Sequence, residues 1–217
     1  MTRVDMKRIA RETLREHRAK AILGLIFPAV AIWVIMLILV LLTFATLGLG
    51  AILYFALMIA LIPLPVGIFY FYRRLLLEGD KTTYNDLLKG HKDNFLRNIG
   101  RLIQMQIFVF LWMLLLYVPG IVKGLAYFMT PYILGDDDIK KGPTEPNPIT
   151  VSRMMMDGHK FELFVMFLSF IGWLILGVLT FHILTIVFVM PYMQLTFAQF
   201  YETRKGELEQ KRLASPQ

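Results

Sequence analysis

The chain of 217 residues contains no cysteine, so disulfide bonds, thiolate catalysis and cysteine-based metal sites are excluded. Charged side chains are also scarce, and residues 21–72 contain none at all. The sequence further lacks the Gly-x-Ser-x-Gly, P-loop, His-Glu-x-x-His and dinucleotide-binding motifs. These absences predict a protein that is not an enzyme and that needs no cofactor.

Hydrophobic residues make up 57% of the sequence, above the roughly 45–50% that is typical of soluble domains. The uncharged run 21–72 is too long for one membrane-crossing helix and fits two, joined at Leu-Gly-Leu-Gly (47–50). We therefore predict an all-α polytopic membrane protein whose six transmembrane helices form three hairpins. The predicted spans are residues 21–46, 51–72, 102–118, 121–135, 161–180 and 183–201.

The basic residues lie almost entirely on one side of these predicted spans. Seven lysines and arginines precede the first span, seven lie from Arg73 to Arg101, four from Lys140 to Lys160 and four after the last span. Only Lys123 lies near the other side. The positive-inside rule then predicts that both termini and both long loops lie in the cytoplasm. Its net charge of +7 would face anionic lipid.

Three similar stretches indicate an internal repeat. Each places a histidine, followed by lysine or arginine, directly before a predicted span. The stretches LREHRAKAIL, LKGHKDNFLR and MDGHKFELFV begin at residues 14, 88 and 156 and place His17, His91 and His159 at one equivalent position. The alternative is that short motifs in a basic, apolar sequence match by chance.

A helix-start signal precedes each of these histidines. The three pairs are Thr2 with Asp5, Thr83 with Asp86, and Asn147 with Pro148. The predicted unit is therefore a short cytoplasmic amphipathic helix followed by a transmembrane hairpin. It would occur three times, in units of about 2–74, 82–138 and 147–203, within one transmembrane domain (1–204) that is followed by a cytoplasmic polar tail (205–217).

Prolines and glycines mark the expected bends of the chain. Gly90 and Gly158 follow the second and third amphipathic segments and are predicted to be left-handed helix C-caps. Gly120 and Gly124 predict a close helix crossing. Helix kinks are predicted at Pro28, Pro63, Pro65, Pro131 and Pro191.

The later part of the sequence carries a family resemblance. The stretches are MTPYILGDDD (129–138), SRMMMDGHKFELFVMFLSFIGWLIL (152–176) and MPYMQLTFAQFY (190–201). The chain resembles a bacterial integral-membrane family catalogued as domain of unknown function nine-seven-five. The resemblance implies a six-pass cytoplasmic-membrane protein with cytoplasmic termini, and it implies no site residue. The chain departs from the family at LTFHILTIVF, where a glycine-rich turn is expected.

The repeated histidines and the cations beside them are the main candidate site. Three imidazoles can bind a metal ion, but an adjacent lysine or arginine disfavours a second positive charge, so we expect no metal. The favoured hypothesis is contact with backbone groups or with a lipid headgroup or phosphate. The candidates are His17, Arg18, His91, Lys92, His159 and Lys160. The acidic run Gly-Asp-Asp-Asp (135–138) is interpreted as a solvated loop.

The sequence favours a non-enzymatic protein that engages anionic membrane lipid, a membrane-protein partner or a second copy of itself through its basic cytoplasmic face. Nucleic acid is not an expected partner, because no nucleic-acid-binding module is present. The alternative is a transporter, channel or flippase for a small apolar or amphiphilic molecule, gated at the proline kinks. Ionisable groups inside the predicted spans are nearly absent, which counts against a coupled pump.

Overall fold

A computed structural model describes residues 1–46, 50–140 and 147–214, and every regular element within these ranges is helical. The predicted Leu-Gly-Leu-Gly joint lies mostly outside the described residues. The first part of the chain forms α1 (Arg3–Glu16), α2 (Arg18–Ala45), α3 (Gly50–Ala60) and α4 (Leu64–Glu78). Two 3₁₀ turns follow, at Gly79–Lys81 and Tyr84–Leu88.

The remaining helices range from 4 to 25 residues in length. They are α5 (Lys89–Lys92), α6 (Phe95–Leu115), α7 (Tyr117–Tyr127), α8 (Thr130–Gly135), α9 (Asp137–Lys140), α10 (Pro148–Met155), α11 (Lys160–Leu179) and α12 (Met190–Ala214). A π-helical turn, Thr185–Val189, leads directly into α12. Because α12 runs to Ala214, helix continues without a break from the predicted transmembrane domain into the predicted polar tail.

The three predicted helix-start signals are confirmed. Asp5 donates its backbone N–H to the Thr2 hydroxyl across 3.2 Å, and its carboxylate accepts from the Thr2 N–H across 3.1 Å. The Asp86 carboxylate accepts from the Thr83 N–H across 2.8 Å. The Asn147 side chain accepts from the backbone N–H that follows Pro148, across 3.1 Å. Each signal satisfies an N–H group that would otherwise have no partner at a helix start.

Within the described residues, four helical segments are long and apolar enough to cross a membrane: Arg18–Ala45, Gly50–Lys81, Phe95–Leu115 and Lys160–Leu179. They correspond to the first, second, third and fifth predicted spans. The α-helix is interrupted at Phe128 and Met129 within the fourth predicted span, and the π-helical turn interrupts the sixth. The prediction of an all-α protein with membrane-crossing helices is therefore confirmed for four spans.

Most of the predicted proline kinks lie at helix starts. Pro28 lies inside α2, but Pro63 and Pro65 begin α4, Pro131 follows the first residue of α8, and Pro191 is the second residue of α12. Proline has no N–H group, so it fits the first turn of a helix, where that group would have no intrahelical partner. Three helices therefore restart at proline after a preceding helical segment.

The helices that restart at proline, α4, α8 and α12, meet in the buried core. The Phe69 ring stacks on Tyr132 with centroids 4.5 Å apart, and Tyr132 stacks on Tyr201 at 5.0 Å. Tyr72 is fully buried, and its hydroxyl donates to the Ala21 carbonyl. Stacked aromatic rings thus fill the space between these three helices, while α2 and α6 keep most of their apolar side chains exposed.

The short segments pack around this core in a fixed pattern. Helix α1 lies against α12, the Tyr84–Leu88 turn lies against α4, and α10 lies against α7 and α8. Each segment buries apolar side chains, including Met6 and Leu14 of α1, Leu87 of the 3₁₀ turn, and Ile149 and Met155 of α10. Tyr84, Leu88 and Met154 of the same segments are exposed at the protein surface.

The glycine predictions have mixed outcomes. Gly158 is confirmed in the left-handed region, with φ at +79°. The prediction for Gly90 is wrong, because this residue lies inside α5 and has no positive φ. Its small size matters instead, since a Cβ there would lie 2.2 Å from the Pro63 carbonyl oxygen. Gly120 has the predicted close helix crossing, with a would-be Cβ 2.7 Å from the Met113 Cα.

Gly67 gives a test of the contact between α4 and the Tyr84–Leu88 turn. A Cβ at Gly67 would lie 1.8 Å from the Leu87 carbonyl oxygen, so the two backbones must separate in Gly67→Ala. We expect a loss of about 1–3 kcal/mol in unfolding free energy, seen as a lower thermal midpoint in detergent. The control is Gly172→Ala, where nothing lies within 4 Å. Equal midpoints for the two variants would contradict the close contact.

Candidate functional site

A buried charge cluster joins the end of α8 to α4 and α12. Asp136 follows α8 and is fully buried. Its Oδ2 lies 3.3 Å from Arg73 Nη2 and 2.8 Å from Lys205 Nζ. The Tyr201 hydroxyl donates to the same oxygen across 2.7 Å. Two cations and a hydroxyl thus offset the cost of removing one carboxylate from water.

A second set of carboxylates balances these cations. Glu202 pairs with the Arg73 guanidinium, and Asp138 accepts from Lys205 Nζ across 3.1 Å. Burial lowers the pKa of Lys205, but its hydrogen bond with Asp136 and the carboxylate charge outweigh burial, so the net pKa is raised. Both cations therefore stay charged and pair with carboxylates of the protein itself. The cluster links α4, α8 and α12, and we call it the clasp.

The interpretation of residues 135–138 as a solvated loop is wrong for Asp136. The side chain of Asp138 is 59% exposed, as expected of a solvated residue, whereas Asp136 points into the protein. A signal for this cluster was present in the sequence. Arg73, Asp136 and Lys205 each closely follow the second span of a predicted hairpin. The predicted repeat therefore placed their charges at the same depth relative to the membrane.

His17 lies at the junction between α1 and α2. Its Nε2 is 3.5 Å from Asp80 Oδ1, and the ring packs against Gly79, where a Cβ would lie only 2.8 Å from Nε2. Lys20 approaches the same carboxylate at 3.7 Å and donates to the Asp80 carbonyl across 2.8 Å. This histidine therefore fastens the start of α2 to the end of α4, while Arg18 beside it is exposed.

His91 satisfies a backbone group that a proline break leaves free. Its Nε2 lies 2.8 Å from the Ala60 carbonyl oxygen, at the end of α3. In an unbroken helix this carbonyl would accept from the Leu64 N–H, but Leu64 donates to Leu61 instead. The predicted contact of a junction histidine with the backbone thus occurs here. Lys92, the next residue, is exposed.

His159 lies among charged side chains of α11 and α12. The Arg204 guanidinium donates to its Nδ1 across 2.8 Å. The carboxylates of Glu162 and Glu207 lie 3.4 and 3.3 Å from the ring nitrogens. Lys160 is partly exposed. The three junction histidines therefore have three different sets of partners, and no cluster of three or more metal-ligating side chains occurs within the described ranges.

Lys123 lies in a different place from the one that the sequence predicted. The charge count placed it near the outer edge of the membrane, away from the other cations. In the structure it shares a cavity with Arg153 and Lys160, which the same count placed on the cytoplasmic side. Its ammonium also lies 4.6 Å from the centre of the Trp112 ring. Hydropathy alone does not show how far a long lysine side chain extends along its helix.

Over the residues that the structure describes, fold and charge distribution define the class: an all-helical protein with four helices long and apolar enough to cross a membrane, fastened by a buried ionic clasp. Residues 102–207 match the model of the family described as protein of unknown function (DUF975), so the family that the sequence resembles is confirmed. No curated protein and no solved structure matches the chain.

The clasp gives a direct test. Asp136→Asn keeps the size of the side chain but leaves Arg73 and Lys205 buried without their central carboxylate. We expect a loss of about 3–5 kcal/mol in unfolding free energy, measured by thermal unfolding in detergent. Asp80→Asn is the matched control, because that side chain is 93% exposed and its surface pairs are worth at most about 1 kcal/mol. Similar stabilities for the two variants would refute the clasp.

Proposed function

We propose that this protein is a non-enzymatic protein of the bacterial cytoplasmic membrane that binds anionic lipid through its basic face. The observation that carries the proposal is the position of exposed or partly exposed cations next to the ends of the apolar helices. Arg18 begins α2, Lys92 ends α5 just before α6, and Lys160 begins α11. Each of these cations therefore meets the boundary between hydrocarbon and water.

The exposed apolar side chains support the membrane assignment. Phe27 and Trp33 of α2 are 65% and 66% exposed, and Phe110 of α6 is 64% exposed. Such a surface is unfavourable in water and favourable in lipid. A cation at a negatively charged membrane surface contributes about 1 kcal/mol of attraction. Several cations at one boundary therefore favour anionic over zwitterionic lipid.

The packing pattern supports the predicted threefold repeat. The segment before the second hairpin lies on α4 of the first, and α10 before the third lies on α7 and α8 of the second. Helix α1, before the first hairpin, lies on α12 of the third. The short segment of the second and third units thus packs on the preceding unit, and the short segment of the first unit packs on the third. This is the contact scheme that three parallel copies around one axis would have.

The alternative function, a transporter, channel or flippase, needs a pathway among the three hairpins. An apolar cavity of about 470 Å³ beside Pro65 and Pro131 favours it. The stacked rings of Phe69, Tyr132 and Tyr201 occupy the space between the proline-started helices and count against a central pathway. Reconstituted protein that moves labelled lipid or a small apolar solute would support this alternative over lipid binding alone.

Lipid preference can be measured on protein in a neutral detergent. We expect short-chain phosphatidylglycerol to bind more tightly than phosphatidylcholine, with an advantage that shrinks as salt rises. Replacing Arg18, Lys92 and Lys160 together with glutamine removes three positive charges, and should weaken binding by about 1 kcal/mol per cation. Equal binding of the two lipids by the unaltered protein would contradict the proposal.

Replacement of His17, His91 and His159 with glutamine provides a comparison that leaves the lysines and arginines in place. Retained lipid preference in this variant would assign the binding to the neighbouring cations. Loss of the preference would assign it to the histidines instead. Thermal unfolding of both triple variants checks that any loss of binding does not come from loss of the fold.

Orientation can be tested cleanly because the chain has no cysteine of its own. Phe181 is 90% exposed in the turn after α11, and Glu209 is exposed on α12. In intact cells we expect Phe181→Cys to react with a maleimide that crosses the outer layers of the cell envelope but not the cytoplasmic membrane. Glu209→Cys should react only after the membrane is opened. The reverse pattern would overturn the proposed cytoplasmic C-terminus.

A further inference from the structure

Two cavities beside the repeated histidine junctions each gather three cations. The first, of about 510 Å³, is lined by Arg11, Arg15 and Arg18 together with Trp173 and Phe188. Arg11 and Arg15 are four residues apart on α1 and therefore share one helix face, and Arg18 begins α2 just after the junction. Like charges at this spacing repel one another, so the arrangement favours a bound anion.

The second cavity, of about 390 Å³, has a similar composition. It is lined by Lys123, Arg153 and Lys160, with the Thr150 hydroxyl as a further donor to a ligand. It also contains one carboxylate, Asp157, which lies 3.5 Å from Lys160 Nζ and is 85% exposed. The second cavity therefore has a net charge one unit less positive than the first.

The two cavities occupy corresponding places in the proposed repeat. Arg11 lies six residues before His17, and Arg153 lies six residues before His159. The residue directly after each of these histidines, Arg18 or Lys160, lines the same cavity. In both cases the neighbouring unit supplies the opposite wall, through Trp173 in the first cavity and Lys123 in the second. At the remaining junction, the residue six positions before His91 is the uncharged Asn85, so the corresponding cation is missing.

We propose that these two cavities are related binding sites for a phosphate group, and that the phosphate is that of an anionic phospholipid. A phosphate offers several acceptor oxygens and at least one negative charge, which suit three converging cationic donors. The apolar side chains of Leu14 and Val122 in the walls suit the upper part of acyl chains. The inference rests on the proposed lipid-binding function and assigns it to particular residues.

The three tryptophans allow each cavity to be followed separately. Trp173 lines the first cavity, and Trp112 contacts Lys123 of the second. Trp33 lies on α2, about 22 Å beyond Arg18 at 1.5 Å per residue. Full-length protein with Trp33→Phe and Trp112→Phe reports the first cavity by fluorescence. Protein with Trp33→Phe and Trp173→Phe reports the second.

The probes are dioctanoyl phosphatidylglycerol, dioctanoyl phosphatidylcholine and inorganic phosphate, each titrated into protein in neutral detergent. We expect a saturable response to phosphatidylglycerol at both cavities, with tighter binding at the first because of its greater positive charge. Arg11→Gln should weaken binding at the first cavity about tenfold, and Arg153→Gln should do the same at the second. Each substitution should leave the other cavity unchanged.

Arg8→Gln is the charge-matched control, because Arg8 also lies on α1 and is exposed like Arg11, but it pairs with Asp5 and lines neither cavity. It should change either affinity less than about twofold. Equal losses in Arg8→Gln and Arg11→Gln would overturn the two sites and leave diffuse attraction to lipid. Binding of lipid without a response from either tryptophan would overturn the two sites as well. If no lipid binds at all, the proposed function itself fails.

Titration with inorganic phosphate distinguishes a phospholipid headgroup from free phosphate as the ligand. If it saturates the response as tightly as phosphatidylglycerol does, the phosphate sites stand but the lipid assignment is overturned. If it competes only weakly, the lipid assignment is supported. Thermal unfolding of Arg11→Gln and Arg153→Gln should match that of Arg8→Gln, so that altered affinity reflects the cavities and not the fold.

Discussion

The carboxylate of Asp136 is the constraint on which the remaining packing depends. A charge that is fully buried needs its counter-charges in place before the surrounding helices can close. Arg73 and Lys205 supply them from two other helices, so α4, α8 and α12 meet at one level. The stacked rings of Tyr132 and Tyr201 pack beside this point. The outer helices then have a fixed surface on which to lie.

The sequence predicts what is encoded within a few neighbouring residues. The capping pairs at Thr2, Thr83 and Asn147 are of this kind, and the four long apolar helices follow from hydropathy alone. The clasp depends on pairs such as Tyr201 and Asp136, which are 65 residues apart, and no local pattern shows which partners meet. The same limit explains the misplacement of Lys123, whose neighbours depend on how α7 packs against α10.

The three junction histidines, which occupy similar places in the sequence pattern, have different structural roles. His91 takes up a carbonyl that a proline break frees, His17 fastens two helices beside Gly79, and His159 joins a charged group with Arg204. The basic residues around them vary less, since Arg18 and Lys160 line comparable cavities. The cations beside His17 and His159 therefore have more similar surroundings than the imidazoles themselves.

The packing of α1 against α12 has a consequence for biosynthesis. Met6, Ala10 and Leu14 of α1 are buried in the finished protein, where α12 covers that face. During translation, however, α12 emerges long after α1. The apolar face of α1 must meanwhile be accommodated elsewhere, and an amphipathic helix rests readily on a membrane surface. We therefore expect the apolar face of α1 to rest on the membrane surface until α12 has been made and can cover it.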